Sequence, residues 1–106
     1  MSQENWKDVI GCDEVDGDFP EEITVDGIYL AIFNCDGRYF AASGFCSHED
    51  AKLCDGYLEG GIIECPLHHS RFEVASGKVL SEPATEDLVT YPVEIREGRV
   101  FVLFPS

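Results

Sequence analysis

The sequence predicts an all-β protein in which a β scaffold contains an inserted metal-binding lobe. Compact Asp-Gly and Glu-Gly turn signals separate short runs that are rich in β-branched and aromatic residues. No apolar pattern of helical period extends beyond two turns. The central stretch, residues 44–81, differs from its flanks and contains all three histidines of the chain.

Five predicted strands lie outside the central stretch. The turn signals Asp26-Gly27, Asp36-Gly37 and Glu97-Gly98 each join two of them. Residues 28–33 are apolar throughout, which predicts a strand buried on both faces, whereas residues 93–96 alternate like a half-buried strand. The predicted strands are residues 22–25, 28–34, 38–42, 89–95 and 99–104.

Length and charge limit the classes of function. A chain of 106 residues with 44% hydrophobic content predicts one domain over residues 1–106. The formal net charge of −14 argues against a nucleic-acid partner, because phosphate binding requires Lys and Arg. Six acidic residues lie within residues 13–22. They form either a solvated surface or a face that steers the protein toward basic partner proteins.

Targeting signals and disulfides are not predicted. No apolar run approaches the length of a membrane span, and the first nine residues do not form a signal segment. We therefore expect a cytoplasmic protein without membrane contact. The five cysteines, an odd number without a secretory context, do not predict a disulfide framework.

Two short motifs in the central stretch predict a metal site, Cys46-Ser47-His48 and Cys65-Pro66-Leu67-His68. Each motif places one thiol and one imidazole on a tight loop, so two facing loops supply two sulfur and two nitrogen ligands. Such a set holds zinc or a Rieske cluster. Zinc sites usually pair Cys with Cys and His with His, whereas a mixed loop suits a two-iron cluster. By chemistry alone, His69 competes with His68 as the last ligand.

The motifs and their surroundings resemble the Rieske-type ferredoxins of bacterial multicomponent aromatic-ring-hydroxylating dioxygenase systems. The resemblance covers most of residues 29–104 and is weakest over the first 25 residues. It implies a Rieske-type antiparallel β-sandwich with an inserted cluster-binding subdomain at about residues 44–83. It depends on the two motifs, sixteen residues apart, and on Gly56-Tyr57-Leu58, residues 63–68, residues 71–74, Gly77-Lys78, Pro83 and residues 90–93.

This resemblance implies one [2Fe–2S] cluster of Rieske type. Cys46 and Cys65 would bind the inner iron, and His48 and His68 would bind the outer iron near the surface. The family spacing selects His68 as the ligand and leaves His69 as an exposed neighbour. Two imidazoles in place of two thiolates make the oxidised site less negative and therefore easier to reduce.

Four further residues are candidates for tuning the reduction potential or for docking a partner: Ser70, Leu67, His69 and Pro83. The resemblance implies that residues 77–83 cover the cluster. A Ser70 hydroxyl that reached a bridging sulfide would favour the reduced cluster. Phe72 stands where high-potential Rieske proteins have Tyr, so we expect a potential in the lower half of the Rieske range.

The resemblance implies a one-electron carrier rather than an enzyme. It would shuttle electrons from a flavin-dependent ferredoxin reductase to a terminal Rieske oxygenase in aromatic-compound degradation. A mononuclear catalytic iron is not expected, because only His69 remains once the cluster ligands are assigned. A carrier that visits two partners in turn is expected to be a monomer. Two alternatives are a Rieske subunit of another oxidoreductase, such as a nitrite-reductase-like complex, and a structural zinc-binding interaction module.

Overall fold

The computed structural model describes residues 5–45, 52–66, 69–82 and 86–105. Over these residues the regular structure consists of β strands and two short 3-10 turns, Cys12–Glu14 and Leu53–Asp55. The predicted all-β class is therefore confirmed. The strands are β1 (Asn5–Gly11), β2 (Glu21–Val25), β3 (Ile28–Cys35), β4 (Arg38–Ser43), β5 (Tyr57–Glu59), β6 (Ile62–Glu64), β7 (Arg71–Glu73), β8 (Thr90–Tyr91), β9 (Val93–Arg96) and β10 (Arg99–Phe104).

The strands form three antiparallel sheets. The first sheet has the order β1-β10-β9, the central sheet β2-β3-β4-β8, and the third β5-β6-β7. The third sheet falls within residues 44–83, where the sequence predicts the inserted lobe. No helix within the described ranges is long and apolar enough to cross a membrane.

Strand β3 belongs to two hydrophobic cores. Leu30 and Ile32 pack in the core that includes Val100 and Val102 of β10. Ala31 and Phe33 pack in a second core with residues of the third sheet. These four consecutive side chains are fully buried, which confirms the prediction of a strand covered on both faces. The central sheet therefore joins the lobe to the rest of the molecule.

The three predicted turns are two-residue hairpin turns. Asp26-Gly27, Asp36-Gly37 and Glu97-Gly98 all have positive φ at both residues, as type I′ turns require. The flanking residues pair directly, as in Val25 with Ile28 and Cys35 with Arg38. Turn chemistry thus fixes the register of these strands locally.

The predicted single strand over residues 89–95 is wrong. Pro92 divides it into β8, which pairs with β4, and β9, which pairs with β10. Proline has no backbone N–H to donate to a sheet, and here its carbonyl oxygen accepts a hydrogen bond from the Leu103 N–H at 3.0 Å. The chain therefore changes sheets at Pro92.

Strand β1 was not predicted, although it pairs with β10 along most of its length. Its register shifts between Asp8 and Ile10, so an irregularity interrupts the regular alternation of inward and outward side chains. Only the last two residues, Ile10 and Gly11, are buried. The polar sequence of this segment gives no clear period-two signal, and its partner lies about 90 residues away in the chain.

Candidate metal centre

The second Cys/His motif lies on the loop of the β6–β7 hairpin. Glu64 and Arg71 form the last strand pair before the loop. The Cys65 N–H donates to the Ser70 carbonyl at 2.8 Å, and the His69 N–H donates to the Cys65 carbonyl at 3.1 Å. Cys65 and Ser70 therefore close the base of the loop, with Pro66 to His69 between them.

Cys65 is fully buried in the core that the lobe shares with the central sheet. Its neighbours in this core include Ile63, Phe72 and Leu53. The thiol therefore lies in apolar surroundings with water excluded. Such surroundings strengthen electrostatic interactions between a bound group and nearby dipoles.

Ser70 is the one buried polar side chain among the residues that the structure describes. Its carbonyl oxygen accepts the hydrogen bond from the Cys65 N–H, and the residue makes a further polar interaction. Throughout the described part of the chain, every buried side-chain nitrogen or oxygen has a hydrogen-bond partner. Burying a hydroxyl requires such compensation, so this serine has a defined place beside Cys65.

His69 lies on the outer side of the hairpin. Its backbone has a φ of +61°, and its side chain is 70% exposed. Its Nδ1 is 3.0 Å from Glu64 Oε2, while the other oxygen of Glu64 accepts a hydrogen bond from Arg71 Nε at 3.1 Å. The bonds from His69 and Arg71 lower the pKa of Glu64. This carboxylate therefore orients both the His69 imidazole and the Arg71 guanidinium.

The first Cys/His motif lies in sequence between two short segments that pair with each other. Phe45 and Lys52 form an isolated antiparallel bridge, and the Leu53 N–H donates to the Gly44 carbonyl at 2.8 Å. We call Gly44 and Phe45 the entry stem and Lys52 and Leu53 the exit stem. Residues 46–51, which include Cys46 and His48, connect these stems and lie outside the described residues.

The bases of the two loops are packed together. Leu53 of the exit stem is fully buried in the same core as Cys65. Gly56, just after the 3-10 turn, lies so close to β6 that a Cβ atom would overlap the Glu64 carbonyl oxygen. The first motif therefore begins and ends beside the hairpin that bears the second motif.

Residues that follow β7 return along its edge. The Leu80 N–H donates to the Arg71 carbonyl at 2.7 Å, and the Arg71 N–H donates to Ser81 Oγ at 3.0 Å. Phe72 and Val79 form a bridge between the same two segments. Most of the predicted covering segment, residues 77–82, is thus placed next to β7.

The structure places three of the predicted site residues, Cys65, His69 and Ser70. The others, Cys46, His48, Leu67, His68 and Pro83, lie outside the described residues. Within the described ranges there is no group of three potential metal-ligating side chains, as expected when three of four predicted ligands fall outside them. The four described cysteines are free thiols. The donor set fits a mixed Cys/His centre, since a buried thiol stands at the base of one motif loop and the other loop begins beside it.

The residues that hold the ends of the loops in place were not predicted from the sequence. Glu64 and Arg71 flank the second motif, and their alternation with buried Ile63 and Phe72 is a period-two signal that could have located the hairpin. Tyr29 of β3 contacts Phe45 of the entry stem and Lys52 of the exit stem, and these contacts had no local signal because they join residues far apart in sequence.

The β-sandwich with its third sheet, and the two loop bases on one core, define a Rieske-type protein. The family model described as "Rieske [2Fe-2S] domain" matches residues 5–92. The chain belongs to the Rieske [2Fe–2S] domain family, and the resemblance drawn from the motifs is confirmed.

Similar proteins are ferredoxins of dioxygenase systems. The naphthalene 1,2-dioxygenase system ferredoxin component of Pseudomonas putida is 46% identical over 80 residues, which cover 76% of this chain and 77% of the relative. The solved Sphingomonas yanoikuyae B1 ferredoxin has a TM-score of 0.91 and 34% identity, covering 95% of this chain and 100% of the other. A structure titled as a complex of reduced oxygenase and oxidized ferredoxin in carbazole 1,9a-dioxygenase gives a TM-score of 0.87 and 31% identity, covering 92% of each chain.

Proposed function

We propose that this protein is a ferredoxin that carries single electrons from a flavin-dependent ferredoxin reductase to a terminal Rieske oxygenase. It would serve a multicomponent dioxygenase system that degrades aromatic compounds. The relatives named as ferredoxin components of such systems support this assignment. The chain would act as a monomer in the cytoplasm and perform no reaction on an organic substrate itself.

One observation carries the proposal. Two loops, each with one Cys/His motif, begin at paired residues, Phe45 with Lys52 and Glu64 with Arg71, and the adjoining Leu53 and Cys65 are buried in the same core. Two such loops can offer one thiolate and one imidazole each, which is the ligand set of a Rieske cluster. We assign Cys46, His48, Cys65 and His68 as the residues that hold one [2Fe–2S] cluster.

The chain supplies a fixed loop base and an environment without water for this centre. When bound, the cluster accepts and releases one electron, at a potential of roughly −150 to +300 mV for Rieske centres. The Cys65–Ser70 backbone bond fixes the base of one loop, and the buried core excludes water beneath it. A rigid environment without water limits how far the surrounding dipoles reorganise when the charge of the centre changes.

The cofactor test is spectroscopic. We would purify the protein without oxygen and record absorption and electron paramagnetic resonance spectra before and after adding dithionite. We expect a brown protein whose reduced form gives the signal of a mixed Cys/His [2Fe–2S] cluster. A colourless, silent protein with stoichiometric zinc would instead support the structural zinc module.

The partner test separates a dioxygenase ferredoxin from a Rieske subunit of a nitrite-reductase-like complex. We would add the cluster-containing protein to the naphthalene 1,2-dioxygenase system of Pseudomonas putida from which its own ferredoxin component is omitted. Restored product formation supports the proposed role. A cluster-containing protein that is neither reduced nor oxidised by such components would favour a Rieske subunit of a nitrite-reductase-like complex.

A further inference from the structure

Tyr29 of β3 packs against the entry stem of the first motif. A Cβ atom on Gly44 would overlap the Tyr29 ring, so the ring lies directly on the backbone there. The ring centroid is 4.7 Å from that of Phe45, and the Gly44 N–H donates to the Tyr29 carbonyl at 3.0 Å. Both residues of the entry stem are therefore fixed to β3 through this one tyrosine.

Tyr29 also reaches the exit stem. Lys52 Nζ lies 5.8 Å from the centre of the Tyr29 ring, within the range of a cation–π contact. The Tyr29 hydroxyl donates to Glu22 Oε2 at 2.7 Å, and the same oxygen is 3.9 Å from Lys52 Nζ. Glu22 and Lys52 are about half exposed, so their ion pair is weak. The direct link to the exit stem is therefore the contact between Lys52 and the Tyr29 ring, whereas the hydroxyl bond holds this ring to Glu22 of β2.

The Cys54 thiol completes the surroundings of the hydroxyl. Burial raises the pKa of Cys54 to about 11, and burial also raises the pKa of Tyr29. Both groups therefore keep their protons at neutral pH. The hydroxyl can donate to Glu22 while it interacts with the Cys54 side chain.

We propose that Tyr29 is a positioning residue for the first ligand loop, because it holds both stems of residues 46–51 against the central sheet. The inference rests on the proposed function, since the loop binds the cluster only if Cys46 and His48 are ligands. Cys46 follows Phe45 directly in the sequence, so the position of the entry stem limits where this proposed ligand can lie. Without the Tyr29 side chain, the two stems would keep their backbone hydrogen bonds, including the bond from Gly44 to the carbonyl of residue 29, and the burial of Leu53.

Two substitutions separate the two links, and a third is a matched control. Tyr29→Phe removes the hydroxyl bond and keeps the ring, whereas Tyr29→Leu removes both. Tyr39→Phe makes the same chemical change elsewhere, since the Tyr39 hydroxyl donates to the Cys12 carbonyl at 3.2 Å and its ring packs on the other core.

The measurement is the rate at which the oxidised protein loses its visible cluster absorbance to an added iron chelator. We expect loss to accelerate about fivefold in Tyr29→Phe and more than about tenfold in Tyr29→Leu, as for a lost hydrogen bond and a lost packing contact. Tyr39→Phe should stay within about twofold of the wild type. The paramagnetic resonance signal of reduced Tyr29→Leu should be broadened, because the ligands adopt a wider range of geometries.

The outcomes distinguish this inference from the proposed function. A wild-type protein without a [2Fe–2S] cluster overturns both. A cluster-containing wild type whose Tyr29 variants release iron at the wild-type rate, or no faster than Tyr39→Phe, overturns the positioning role alone. Faster loss in both Tyr29 variants with an unchanged Tyr39 control supports it, since the control shows that removal of a tyrosine hydroxyl elsewhere in the fold does not by itself release the cluster.

Discussion

At the scale of single residues, the second motif contains two adjacent histidines, His68 and His69, and the surroundings of His69 bear on which of them is the ligand. His69 is mostly exposed and pairs through Nδ1 with Glu64. A metal-bound histidine often makes such a carboxylate contact with its second nitrogen, so the contact alone does not assign a role. The assignment of His68 as the ligand rests on the family spacing, and substitution can test it directly.

The first prediction concerns these adjacent histidines. His68→Ala should lower the cluster content of the purified protein by at least about tenfold, because it removes the proposed ligand to the outer iron. His69→Ala is the matched control and should keep the wild-type iron content and resonance signal. Iron and sulfide analysis measures both variants. Cluster loss in His69→Ala alone would reverse the ligand assignment.

The second prediction concerns the buried Ser70. We expect its hydroxyl to stabilise the reduced cluster, because it lies in the dry core and its carbonyl binds Cys65 at the base of the loop. Ser70→Ala should therefore lower the reduction potential by about 40–130 mV, the equivalent of about 1–3 kcal/mol for one electron. A redox titration followed by resonance spectroscopy measures the shift.

The control for Ser70 is Ser76→Ala. Ser76 is exposed in the turn after β7, where its hydroxyl donates to Glu73 Oε1 at 2.7 Å. This variant should keep the wild-type potential. An equal potential in Ser70→Ala and wild type would show that the Ser70 hydroxyl contributes to packing within the loop and not to the reduction potential.

At the scale of elements, the turn after β7 connects the lobe to the chain that returns to the central sheet. The Gly77 N–H donates to the Glu73 carbonyl, and the Gly77 carbonyl accepts from the Leu88 N–H, both at 2.7 Å. Gly77 has a φ of +77°, and a Cβ atom there would lie 2.6 Å from the Leu88 carbonyl oxygen. This position therefore requires glycine both for its backbone conformation and for its close packing.

The third prediction compares Gly77→Ala with Gly98→Ala. Gly98 has nearly the same φ of +76° but nothing within 4 Å of the added Cβ. Gly98→Ala should lower the free energy of unfolding by about 1–2 kcal/mol for the backbone conformation alone. Gly77→Ala should cost about 1–3 kcal/mol more, because Leu88 must also move. Urea denaturation of both variants measures the difference. Equal losses of unfolding free energy would mean that the turn at Gly77 accommodates the added Cβ atom without strain.

At the scale of the whole molecule, most of the positively charged side chains form ion pairs within the protein. The formal charge is −14, from 21 acidic and seven basic residues. Within the part of the chain that the structure describes, five of the seven basic residues have a carboxylate within ion-pair distance: Lys7 with Asp26, Lys52 with Glu22, Arg71 with Glu64, Arg96 with Glu94, and Arg99 with Asp8. The surface field is therefore dominated by acidic side chains, whose effect on a partner falls with salt.

The fourth prediction tests whether this charge steers a partner. If residues 13–22 face a basic partner, the bimolecular rate of electron transfer should fall about tenfold or more as salt is raised. Asp16→Asn together with Asp18→Asn should slow the reaction at low salt and match the wild type at high salt. Stopped-flow mixing with the proposed ferredoxin reductase measures these rates. A rate that does not change with salt would assign the acidic segment to solvation alone.

The sequence by itself determined the class of fold, three hairpin turns and the two motifs. These features depend on near neighbours in the chain, such as the Asp-Gly pairs at Asp26 and Asp36 and the doubly buried run in β3. Residue chemistry alone also limited the metal site to zinc or a Rieske cluster. Local signals of this kind survive in almost any context, because turn geometry and side-chain alternation are properties of a few consecutive residues.

Only the tertiary structure decided how distant segments meet. It showed that the chain changes sheets at Pro92, that β1 pairs with β10, and that Ser70 is buried beside Cys65. It also placed Tyr29 against Gly44 and Lys52, on both sides of the first motif. These contacts depend on which surfaces the packed sheets bring together, and that choice is set by the shared cores of the whole chain.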